Sequence, residues 1–286
     1  MLNFRYHALS LVAVFLALVV GLLLGVAIGD KGLVSSAERD VRASLRGDVR
    51  SAQDERDTAR EELRERARFE QAAYPALVSG RLEGRRLALI ELGSGSDRMF
   101  DLTREALASS GAKVVSVSVV RRPLDLGTLA EAAKGTRYEQ LSESDDLLHA
   151  FGTRIGIQFV RGGELLNAVR RELLVQGSGE LDGADGIVLV HSPVEGDDDA
   201  ANALVDTFED GLVTGLRADD VPVVGVETTD ADPSQISWFK DHEISSVDDL
   251  DDPIGRAALV FTLAGQRGSF GVKSTADGGR LPPILQ

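Results

Sequence analysis

LALIELGSGSDRMFDLTREALASSGAKVVSVSVV, residues 87–120, carries the pattern that decides the fold. Leu87–Leu92 is apolar at every position except Glu91, and too short for a helix, so it reads as a buried strand. Gly93-Ser94-Gly95-Ser96-Asp97 is turn chemistry, with Asp97 placed to cap the helix that follows to about Ser110. Lys113–Val120 is a second strand, rich in valine. A strand, a turn, a helix and a strand in immediate succession form a crossover unit, which pairs strands in parallel.

The same alternation continues toward the C-terminus. Helices are expected at Leu126–Lys134, Ser142–Phe151, Gly163–Gln176 and from about Asp198 to Leu216. Strands are expected at Ile187–His191 and Val221–Val226, with a short edge strand near Ile244–Val247. Asp252-Pro253 reads as an N-cap and first-turn proline for a helix through Ala264. The fold class is therefore α/β: a Rossmann-like domain over 75–286 with a mainly parallel sheet.

Upstream the texture is different. Ala8–Ile28 is a run of 21 residues without a charge. As a helix it reaches roughly 30 Å, the thickness of a bilayer's hydrocarbon core. A transmembrane helix over 8–29 follows, although Ala27-Ile28-Gly29 resembles a signal-peptidase site and cleavage stays the alternative. Arg5 precedes the span, while Asp30 and Lys31 cancel after it; this puts residues 1–7 in the cytoplasm and the bulk of the chain outside. Ala17, Gly21, Gly25 and Gly29 recur at every fourth position, a small-residue face on which two membrane helices can pack.

Between span and domain, residues 30–74 read as a helical stalk. From Ser35 to Tyr74 there is no proline and one glycine, Gly47. Val34, Ala37, Val41, Leu45, Val49, Ala52, Ala59, Leu63 and Ala67 fall at steps of mostly three and four, a thin seam suited to a parallel coiled coil about 60 Å long. Pro75 is expected to end it. Arg56, Arg60, Arg64 and Arg68 run down one face, either as a solvated, salt-bridged surface or as a docking strip for an acidic partner helix.

Charge narrows the function. Residues 30–70 hold 10 basic and 11 acidic side chains, whereas residues 71–286 hold 20 and 35, which accounts for the net −15. Such a domain is ill suited to nucleic acid or to anionic lipid surfaces. With no cysteine there are no disulfides and no thiolate ligands.

Chemistry-bearing motifs are sparse. Gly93 and Gly95 resemble the opening of a dinucleotide loop, but the third glycine of that fingerprint falls on Arg98. His191-Ser192 ends a strand, where α/β sheets often bind ligands, and with Gly93, Gly95 and Asp97 makes the candidate ligand loop. The alternative for a lone histidine there is a hydrogen-bonded surface residue. For metal, His191 and His242 are the candidates, without the spacing that would pre-assemble a site. Asp197–Asp199 and Asp248–Asp252 lack calcium-loop spacing and read as helix N-terminal acids and solvated loop. No catalytic motif is found, and no cofactor is expected.

Two segments look familiar. NFRYHALSLVAVFLAL (3–18) running into GLLLG (21–25), and ISSVDDL (244–250) with Gly255-Arg256 and GSFGVK (268–273), resemble the actinobacterial MctB-type copper transport family. The resemblance implies copper efflux or homeostasis at the cell envelope, in a family also described as an outer-membrane channel. The chain also resembles the membrane-anchored coiled-coil partner of an actinobacterial cell-division complex that influences peptidoglycan hydrolysis. That likeness implies a homodimer or heteromer through span and stalk, with an envelope or divisome protein as partner. The short, continuously apolar strands suit a buried sheet rather than a barrel.

Overall fold

The computed structural model describes residues 4–29, 33–180, 183–193 and 198–283. Asp30, Lys31 and Asp197 lie outside these. Two compact units divide near Ala67 and Arg68.

The first unit is helical. Helix α1 (Phe4–Gly29) carries Arg5 and His7 in its first turn and no charge from Ala8 onward, and among the described residues it is the one helix long and apolar enough to cross a membrane. Helix α2 (Leu33–Val78) is continuous over 46 residues and continues three residues beyond Pro75. Beyond the proline the helix still closes a turn, Ser79 N donating to the Pro75 carbonyl at 3.0 Å. Arg56 and Arg60 share Asp57, and Arg64 reaches Glu61 at 3.2 Å, so this face carries local ion pairs.

The second unit is a seven-stranded open sheet. Its strands are β1 (Arg86–Leu92), β2 (Lys113–Val120), β3 (Leu174–Gly179), β4 (Gly186–His191), β5 (Val223–Val226), β6 (Ser245–Val247) and β7 (Ser269–Phe270). They lie in the order β3-β2-β1-β4-β5-β6-β7, and among the described residues only the β2–β3 pair is antiparallel. The crossover unit at residues 87–120 is thus parallel, as its spacing predicts.

Successive β1 residues feed opposite layers. Ala88, Ile90 and Leu92 join a core with Phe151, Ile155, Phe159, Phe208 and Leu212, while Leu87 and Leu89 join one with Phe100, Leu107 and the 257–263 segment. Helices α4 (Leu126–Ala132), α5 (Asp145–Arg161), α6 (Glu164–Leu173), α7 (Asp199–Leu216) and α8 (Ile236–Asp241) contribute to the first layer. Helices α3 (Asp97–Leu107) and α9 (Pro253–Leu263), with the last turn of α2, cover the other. Each fully buried aliphatic or aromatic side chain here contributes about 1.5–3 kcal/mol.

Further sequence expectations change, among them the helix expected over Ser142–Phe151, which runs from Asp145 to Arg161. The helix expected over Gly163–Gln176 ends at Leu173, and its last residues instead open β3. The 3.6-residue pattern does end at Leu173, but leucine, valine and glutamine carry no stop signal. The strand at 245–247 is not an edge, because β7 pairs with it. Asp97 does not cap α3; Ser96 does, its Oγ accepting from Met99 N at 3.3 Å. Asp252 caps α9 as read, accepting from Ile254 N at 2.9 Å.

Candidate functional site

Strand order reverses at β1, with β2 on one side and β4 on the other. A crevice opens where neighbouring crossovers diverge, beyond the carboxyl ends of the strands. A cleft of about 250 Å³ lies there, lined by Glu91, Ser96, Arg98, His191, Ser192, Glu227 and Gln235 among others. Gly93 and His191-Ser192 do meet: a Cβ on Gly93, whose φ is +145°, would sit 2.8 Å from Ser192 Cβ. Gly95, at φ +79°, completes the turn.

Two amides of this loop, those of Gly95 and Ser96, are already occupied. Glu91, 1 % exposed, turns its carboxylate back so that Oε2 accepts from Ser96 N at 3.0 Å. Burial pushes the Glu91 carboxyl above its ordinary value, while the Ser96 and Gly95 amides and Arg122 pull the other way. In a dinucleotide-binding loop those amides would face a phosphate. Here a carboxylate of the chain takes that place and would repel a phosphate by like charge. Glu91 is the residue that sequence reasoning passed over, and its signal was the lone charge in an apolar strand.

His191 is likewise engaged. It is 8 % exposed, not the surface residue that the alternative reading expects. Its Nδ1 lies 2.7 Å from Gln235 Oε1 and its Nε2 3.2 Å from Glu209 Oε2. Arg122 Nε donates to the other oxygen of Glu209 at 2.6 Å, and Arg122 Nη1 to the Ser192 carbonyl at 2.6 Å. Glu209 stands on the apolar stripe of α7 between Val205 and Leu212, a pattern that flags a buried partner.

His242 stands apart from the cleft lining but touches the same aromatic stack. His191 packs on Trp238 at 3.9 Å and 15°, and Trp238 on His242 at 4.0 Å. Each ring nitrogen of His242 has an acceptor at 2.8 Å, the Trp238 carbonyl and Asp210 Oδ1. Rings held this way have no nitrogen left to aim at an ion. Among the described residues no group of three or more histidine, cysteine or acidic side chains is placed to hold a metal.

The acidic run at 248–252 departs furthest from its sequence reading. Asp248 and Asp249 are fully buried rather than solvated. Asp248 accepts from Val272 N at 2.7 Å and Lys273 N at 3.0 Å, and Asp249 pairs with Arg280 at 3.1 Å. Lys273 also reaches Glu227 at 2.6 Å. These carboxylates fasten the C-terminal segment to the sheet, and their partners lie 20 or more residues further along the chain. Asp198 caps α7, as helix N-terminal acids do.

The small-residue face and Arg56, Arg60 and Arg64 lie on the first unit, and Arg68 is the first residue of the second. Gly21 and Gly25 have nothing within 4 Å of a built Cβ, and Ala17 shares their exposed helix; Gly29 ends α1. No curated protein matches the chain. Its family is nevertheless clear: the chain belongs to the MctB family, described as copper transport outer membrane protein, which matches residues 1–279.

Proposed function

We propose that this protein is a single-pass envelope protein that supports copper homeostasis without catalysis, by holding a Rossmann-like domain outside the membrane as part of a protein assembly. The observation that carries the reading is the uncovered apolar stripe of α2: Val41, Leu45, Val49 and Leu63 are each more than half exposed. A helix of this length with such a stripe is stabilised by a partner helix, and near-balanced stalk charge lets a second copy serve as that partner in a parallel coiled coil. The small-residue face of α1 favours the same pairing within the bilayer.

Copper is the cargo of the family, and this chain's chemistry favours an indirect role in handling it. Copper(I) prefers thiolate and thioether ligands; the chain has no cysteine and two methionines. The two histidine candidates have their nitrogens engaged by the fold. An organiser of the envelope would alter permeability, and through it metal content. The same stripe supports a second reading, a coiled-coil scaffold in a cell-division complex that regulates peptidoglycan hydrolysis, with another anchored protein as partner.

Total cell copper in a deletion strain and its complemented parent, both grown in moderate copper, tests the homeostasis role. A rise on deletion that complementation reverses supports it. Unchanged copper rejects it and leaves the scaffold reading. Tight stoichiometric copper binding by the purified full chain would overturn the indirect mechanism.

A further inference from the structure

The two ends of the sheet are treated differently. At one end β7 is buried, and the C-terminal segment closes over it: Gly278 N donates to the Ser269 carbonyl at 2.8 Å. At the other end β3 is open. All of its residues after Leu174 are exposed, including Val175 at 60 %. Edge strands are commonly guarded by lysine, proline or a bulge that twists the edge away. The β3 sequence, LVQGSG, has neither charge nor proline; its one irregularity, at Val175, lies near the start of the strand and leaves Gln176–Gly179 in regular register with β2.

Register shows which groups face outward. Glu180 N donates to the Val115 carbonyl, so Ser178 and Gln176, at alternate positions, turn their backbone groups toward β2. The N–H and C=O of Gly177 then point away from the sheet.

A groove of about 620 Å³ runs beside this edge, lined by Arg121, Arg170, Arg171, Glu172, Val175 and Gly177. Arg170 lies directly over Gly177, where a Cβ would be 3.2 Å from its Nε. Arg121 spends its donors on the Glu172 and Leu174 carbonyls. Among the described residues no carboxylate forms an ion pair with any of these three arginines. Glu172 is the one acid among the described residues lining the groove, in a domain that is otherwise strongly acidic.

We infer that β3 and its arginine groove receive an extended acidic segment of a partner polypeptide, which adds to the sheet as an eighth strand. The outward N–H and C=O of Gly177 anchor the ladder, and acidic side chains at every second position meet the guanidiniums. A second copy of this chain is a poor occupant, because pairing β3 with β3 would bring arginines against arginines.

The test uses the full chain in detergent and three fluorescent octapeptides, read by anisotropy. One alternates threonine and glutamate, one alternates threonine and lysine, and the third is the acidic peptide with its backbone amides N-methylated. The acidic peptide should bind about tenfold or more tightly than either control, and R170E/R171E should weaken it by a similar factor. Equal binding of the N-methylated peptide would make the groove a general anion site and overturn strand addition. Unchanged affinity in R170E/R171E, verified as folded by circular dichroism, would overturn the role of the arginines. If that variant fails to fold, the three peptides on the unaltered chain decide the matter alone. Oligomers of the chain that V175K dissociates, with no peptide binding, would make a second copy the occupant and refute the proposal.

Discussion

Asp249 shows how one buried carboxylate ties stability to pH. It is fully buried, and burial pushes its pKa up to about 6, against the opposing pull of Arg280. Between its ordinary value and that raised one, the folded state keeps a proton that the unfolded chain gives up. Its stabilising contribution is therefore complete below about pH 4 and is lost as the pH rises through about 6. The D249N variant should gain on the wild type by about 2 kcal/mol between pH 4 and 7. Urea unfolding midpoints at both pH values measure this; a constant difference between the two proteins would refute it.

At the scale of elements, glycine does two distinct jobs. Helices α5 and α7 cross with their backbones almost touching, through Gly152 and Gly156 on one and Gly211 and Gly215 on the other. A Cβ on Gly156 would overlap the Leu212 carbonyl, and one on Gly215 the Thr153 carbonyl. G156A should therefore cost about 1–3 kcal/mol of stability in spite of alanine's better helix propensity. Gly47 on α2 has open space around it, so G47A should leave the domain's stability unchanged and raise the helicity of α2 by circular dichroism. On α1, Gly21 and Gly25 have the same open surroundings, which is the condition for close helix pairing in a bilayer. Replacing both with leucine should reduce the signal of a membrane two-hybrid assay at least about fivefold; an unchanged signal would remove α1 from the assembly.

Across the whole second unit, the C-terminal segment acts as a clasp. Residues 271–280 cover β7 and bring Lys273 to Glu227, Arg280 to Asp249, and two amides to Asp248. Ending the chain at Phe270 strips buried carboxylates of their partners, at a cost of about 3–5 kcal/mol for a broken buried pair. The melting temperature should fall by about 10 °C or more, as differential scanning calorimetry would show. An unaltered melting curve would mean that the clasp contributes nothing.

Sequence alone determined whatever rests on local periodicity. The charge-free run at 8–28, the long charged helix behind it, and the parallel unit at 87–120 depend on spacing between near neighbours, which the chain order states directly. The cap at Asp252 belongs with them, because a cap bonds two or three residues onward. Tertiary structure decided the rest. Strand β3 follows α6 without any breaking residue, so only its pairing with β2, more than 50 residues earlier, makes it a strand. Burial of Asp248 and Asp249, the turn of Glu91 into its own glycine loop, and the engagement of both histidines followed from partners brought together by the fold. A polar side chain's role depends on what lies across from it when water is excluded, and that neighbour is set by the packing of distant segments.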